Sequence, residues 1–195
     1  CYPTTLRSVC LYGSGATADF VHRRSNLCCL VVLETVDLPS LRQAALHWPR
    51  WRALGVVAPL LLTLDQIRSS LDVFPLEYLE MKARHLCLHG EDPLIDLAFT
   101  PSAVRQQCER ELRGKLITLR EGFIETGHDP KALESLLLRA FSALQRILLG
   151  LVWLNRHSLP STRTELFSLI EEIFRIPTEP FRSLDGLKRG AAQLS

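Results

Sequence analysis

The sequence predicts an α/β domain followed by an all-α helical bundle, and three observations lead there. Short apolar runs rich in Val and Leu, Leu6 to Tyr12 and Leu27 to Leu33, are of strand length and occur only in the first part of the chain. After Pro101 the apolar residues recur at spacings of three and four, the period of one helix face. Between the two patterns stands Gly90-Glu91-Asp92-Pro93, a turn by its chemistry. The expected division is residues 1–98 for the first domain and 99–195 for the bundle.

The first two runs read as buried strands. A third, Val56 to Leu64, has the same character, with Pro59 placing its start at a sheet edge or in an irregular segment. Leu38 to Leu54 carries helical spacing through Leu41, Ala45 and Trp48, with Asp37 or Ser40 as caps and Pro49 as an interruption. Leu64 to Leu71 and Leu76 to Leu88 read as helical or mixed. Val104, Cys108, Leu112, Leu116, Leu119 and Phe123 then line one face of a long helix that should stop near Gly127. Asp129-Pro130 is a cap followed by proline at the first helical position, and Leu133, Leu137, Ala140, Leu144, Leu148 and Leu151 make the next core stripe. Pro160-Ser161 precedes a helix with Leu166, Ile170, Ile173 and Phe174, and a short helix is expected after Pro180.

Composition narrows the function classes. A chain of 195 residues with 47% hydrophobic and 23% charged residues is not disordered. Lys plus Arg is 23 against 21 for Asp plus Glu, a net charge of +2, so a phosphate-coating protein is excluded and no nucleic-acid partner is expected. The six cysteines form no C-x-x-C pair and no zinc spacing, and the adjacent Cys28 and Cys29 sit in an apolar run as small buried hydrophobes. Reduced thiols imply a cytoplasmic address. The best membrane candidate, Leu133 to Leu154, is interrupted by Glu134, Arg139, Gln145 and Arg146, so neither a span nor a secretory leader is expected.

One segment carries chemistry. Leu11-Tyr12-Gly13-Ser14-Gly15-Ala16-Thr17-Ala18-Asp19, followed by Ser25-Asn26 and the second apolar run, resembles the minimal nucleotidyltransferases of the polymerase-beta-like superfamily over about residues 6 to 98. Pro75-Leu76-Glu77-Tyr78-Leu79-Glu80 and Leu88-His89-Gly90-Glu91-Asp92 are similar to the helix, strand and turn that close such domains. The resemblance implies that Gly13 and Ser14, with the amides of the following helix, cradle nucleotide phosphates. It also implies an Asp-x-Asp at the head of the second strand, two carboxylates on one strand face holding two magnesium ions, and a third carboxylate on a later strand.

The sequence departs from that family at the aspartates. Aligned through the strand, the two positions fall on Asn26 and Cys28. An amide offers one neutral oxygen, and a thiol is a soft ligand unsuited to a hard cation. No acidic residue lies between Asp19 and Glu34, and Asp65 is the only carboxylate near the third run. Asp19 is read as a cap or structural ion pair. The expected nucleotide-binding residues are therefore Gly13, Ser14 and Asn26, with no catalytic residue, metal or cofactor.

The remaining candidates are weaker. His85 and His89, four apart, share a face if helical, but neither a carboxylate nor a third histidine completes a metal set. Arg113 and Arg120, seven apart on one helix, point the same way and make an anion-binding wall the sharper alternative to a solvated face. Helical ribonuclease bundles use an arginine four to six residues before a histidine. The pairs Arg120–His128 and Arg146–His157 have the wrong spacing. The expected function is a catalytically degenerate nucleotidyltransferase-like pseudoenzyme that binds a nucleotide, a partner protein or itself. The alternatives are an active transferase using magnesium or manganese to move a nucleoside monophosphate to a hydroxyl, and a regulatory partner of a toxin or nuclease.

Overall fold

The computed structural model describes residues 2, 5–17, 20, 26–156 and 158–189. It divides into two compact units: residues 1–74 with 80–99, and residues 75–79 with 100–195. The first is built on a small mixed sheet and the second is helical. The chain is thus a mixed α+β protein.

The apolar runs form strands β1 (Leu6–Tyr12) and β2 (Cys28–Leu33), joined in the sheet by β3 (Leu60–Leu62) and β4 (His85–Gly90) in the order β3-β2-β1-β4. β1 is antiparallel to β2 and β4, whereas β2 and β3 are parallel and need a crossover, which helix α1 (Leu38–Ala53) supplies. The third run shrinks to three strand residues after Pro59, plus a lone bridge between Leu27 and Val56, because proline has no N–H for a ladder. Alternation along the strands puts Cys10, Leu30 and Val32 on one buried face, where Ile67, Met81, Leu94 and Leu97 complete the core of this unit.

Pairing with the edge strand β4 is irregular. Val9 stands opposite His89 but Cys10 opposite Cys87, so Leu88 is an extra residue in the ladder. Gly90 has φ +74°, and a Cβ there would lie 1.9 Å from the Arg7 carbonyl oxygen, so only glycine fits.

Asp37 caps α1 by accepting a 2.8 Å hydrogen bond from the Ser40 N–H. The helix runs through Pro49 instead of stopping there. Pro49 and Ala45, whose carbonyl loses its helical N–H partner to the proline, are both exposed, so the freed carbonyl lies on the solvent side of the helix. Helix α2 (Leu64–Ser69) opens with a capping box of Thr63 and Gln66, and α3 (Pro75–Ala83) leads into β4.

In the helical unit α4 (Pro101–Glu125) and α5 (Pro130–Arg156) start on the predicted prolines, α6 (Arg163–Phe174) starts after Pro160-Ser161, and α7 (Glu179–Arg189) starts one residue before Pro180 and not after it, with the proline in its first turn. Asp129 accepts from the Lys131 N–H, and Thr162 from the Glu165 N–H. The core gathers on α5, where Phe141, Ile147, Leu148, Leu149 and Val152 are buried with Leu166, Phe167 and Ile170 of α6. Its fully buried residues are offset from the predicted stripe because the second half of α5 is enclosed on several sides. By length and composition α5 is apolar enough to cross a membrane, despite the charges at Arg139 and Arg146, and 44% of its most apolar window is buried against the protein.

The stripe on α4 divides. Val104 and Cys108 are buried, but Leu116 and Phe123 are 49% and 58% exposed. At the buried end Gln107 accepts from the Leu76 N–H at 2.9 Å and donates to Glu77 at 2.8 Å, and Glu77 also accepts from Arg146 at 3.0 Å. Gly150 permits this packing, since a Cβ there would meet the Leu76 side chain at 2.3 Å and the Cys108 Sγ at 2.9 Å. Arg163 and Asp185 form a buried ion pair at 2.6 Å.

Candidate functional site

The end of β1 turns sharply. Gly13 takes φ +72°, which a residue with a β-carbon adopts only at a cost, and its N–H donates to the Arg84 carbonyl at 2.9 Å. Gly13–Ala16 is a single 3-10 turn closed by the Thr17 N–H and hydroxyl on the Ser14 carbonyl, each at 3.3 Å. The expected short helix is thus one 3-10 turn among the described residues, followed by an extended Thr17. Gly15 lies against the head of the second strand, since a Cβ there would stand 3.2 Å from the Leu27 side chain and 3.6 Å from the Asn26 carbonyl.

Strand pairing puts Cys28 opposite Tyr12, and Tyr12 opposite His85 on its other side. Asn26 is exposed just ahead of the strand, while Cys28 is half-buried on the face shared with Leu30 and Val32. Burial, together with the negative charge of Glu80, pushes the Cys28 thiol up. The adjacent Cys29 is also raised, by burial and by Cys28, but alternation turns it to the other face with Val9, Val31 and Trp51. Cys10, Cys28, Cys29, Cys87 and Cys108 are free thiols, and burial, with Cys87 and the charge of Asp92 adding to it, pushes Cys10 up to about 12 against a smaller opposing effect of the hydrogen bond with Ser8.

Glu80 is the residue that sequence reasoning missed. It stands on the last turns of α3, close enough for its charge to act on Cys28. The signal was present in the Pro75-to-Glu80 segment, but nothing in the linear order aims that carboxylate at the second strand.

His85 and His89 lie on β4, not on a helix. His85 Nε2 is 2.8 Å from the Asp92 carboxylate and its Nδ1 is 3.1 Å from the Lys82 carbonyl, so a carboxylate does reach it, while His89 is exposed. Among the described residues no group of three or more His, Cys, Asp or Glu is placed to hold a metal ion. Arg113 and Arg120 are both exposed on α4, and Asp65 is exposed in the first turn of α2. Asp19 and His157 lie outside the described residues.

No known protein family matches the chain, and no curated protein matches it. The class that the fold defines is a four-stranded mixed sheet with helices, followed by a helical region.

Proposed function

We propose that the sheet unit is a nucleotidyltransferase-like domain whose metal-holding carboxylates have been replaced, leaving a binding role without nucleotide transfer. One observation supports this reading: a left-handed Gly13 turn ends β1 beside the head of antiparallel β2, and the reading takes Asn26 and Cys28 there as the family's aspartate positions. An amide and a thiol whose ionisation is disfavoured cannot replace two carboxylates around hard cations. The ligand is a nucleotide held by Gly13, Ser14 and Asn26, or a protein surface, including that of a second copy. Calorimetry with ATP, GTP, CTP and UTP, with and without magnesium or manganese, should show binding with no transfer of labelled nucleotide. Turnover abolished by Ser14→Ala overturns it.

Glu80 favours the second reading, an active transferase dependent on magnesium or manganese, because it brings one carboxylate toward Cys28. Metal-dependent turnover lost in Glu80→Gln distinguishes that reading from the first.

A further inference from the structure

Cys10 and Cys87 stand opposite each other across β1 and β4. The ladder pairs Val9 with His89, and continued evenly it would set Cys10 against Leu88. The extra residue shifts the register by one and brings Cys87 there instead, with Leu11–Leu86 and Tyr12–His85 following in order. Directly opposite residues of an antiparallel pair have Cα atoms about 4.5–5.5 Å apart, inside the ~4.4–6.8 Å that a disulfide spans. A hydrogen bond between the two thiols puts both side chains on one face of the sheet, and both sulfurs are free.

The two differ in access. Cys10 is 0% exposed, in the core with Leu30 and Val32, so a reagent in solution does not touch it. Cys87 is half-buried on the outer strand, and its thiol donates to the His89 and Gly90 carbonyls at 3.5 and 3.6 Å, weak bonds that a reacting sulfur gives up readily. A reachable thiol with a shielded one in contact behind it has the parts that thiol–disulfide exchange needs, one sulfur to be capped and one to displace the cap. Cys28 and Cys29 lack that arrangement, since alternation turns them to opposite faces of β2, and Cys108 is buried in the helical unit.

We propose that Cys10 and Cys87 are a redox modification site that takes a small disulfide, of the glutathione disulfide class, as its oxidant and closes into a bond pinning β4 to β1. In the first step the Cys87 sulfur attacks one sulfur of the small disulfide, a mixed disulfide forms on Cys87, and one small thiol leaves with the Cys87 proton. In the second the Cys10 sulfur attacks the Cys87 sulfur from the core side, the mixed disulfide breaks, and the second small thiol leaves towards solvent with the Cys10 proton. The protein thiols lose two electrons and the small disulfide gains them. Burial disfavours the Cys10 thiolate and so slows the second step, while contact with Cys87 holds the attacking sulfur in place and speeds it. The proposal rests neither on the Gly13 cleft nor on a nucleotide.

The test is incubation of the folded full chain with glutathione disulfide, alkylation of the remaining thiols under denaturing conditions, and mass spectrometry of the non-reduced peptides. A Cys10–Cys87 cross-linked peptide should form, with no glutathione left on Cys87 and with Cys28, Cys29 and Cys108 recovered alkylated. The denaturant midpoint should rise, because the bond closes a long loop of the unfolded chain, and dithiothreitol should return it to its starting value. Cys10→Ala should stop at the mixed disulfide and keep one glutathione on Cys87, whereas Cys87→Ser should take up none at Cys10. The wild-type peptide map decides the matter even if Cys10→Ala does not fold. An unmodified Cys87, glutathione retained on wild-type Cys87, a cross-link from Cys87 to another cysteine in comparable yield, or a midpoint that does not rise overturns the proposal.

Discussion

Cys28 opens β2 and Asn26 stands two residues ahead of it, outside the strand; the proposed function requires carboxylates at the two positions to face the same way, as alternation along an extended chain would have them. In Asn26→Asp/Cys28→Asp, manganese should raise the melting temperature by mass action while leaving the wild type and single variants unmoved. A folded double variant with no response would remove the alignment behind the proposed function. His85 and Asp92 make a second residue-scale test. Burial pushes the Asp92 carboxyl up, but hydrogen bonds from His85 and from the Leu94 and Ile95 amides, with the charge of His85, bring it below the ordinary carboxylate range. A depressed carboxyl contributes stability above its unfolded pKa of about 4, and that stability is lost as pH falls through the folded value. Asp92→Asn should therefore flatten the acid limb of a denaturant-midpoint profile below about pH 5. The Gly13 turn and its neighbouring strands were legible because glycine and short Val/Leu runs are local signals. The partners of His85 were not, because Asp92 reaches it only when the chain folds back after a bulged strand.

Helix α4 shows how an element can be correctly bounded and incompletely covered. Its start at Pro101 and its end before Gly127 follow from proline and glycine chemistry, and both were legible. Which half of its apolar stripe is buried depends on where neighbouring elements pass, and spacing does not encode that. Val104→Ala should cost about 1–3 kcal/mol, because it removes two methyl carbons from a fully buried site. Leu116→Gln and Phe123→Ser should each cost under about 1 kcal/mol by chemical denaturation, since both side chains are largely in water already. Gly150→Ala on α5 should cost about 1–3 kcal/mol by overpacking against Leu76 and Cys108. Equal costs at Val104 and Leu116 would mean that the whole stripe is covered in solution.

For the molecule as a whole, the change from strand-length runs to helical spacing was readable from composition and period alone. The assignment of helix α3 was not, because its first five residues, Pro75–Leu79, count with the helical unit and the rest with the sheet unit. The extra residue Leu88 bears on a different property, the solubility of the folded chain. β4 is the outer strand on its side of the sheet and carries the exposed side chains of Leu86 and Leu88, a combination that invites another strand to add on. The bulge bends that border and breaks the even row of amides and carbonyls that an incoming strand would need. Deleting Leu88 should restore an unbroken, flatter border, and light scattering should then rise with protein concentration even where the native chain stays clear.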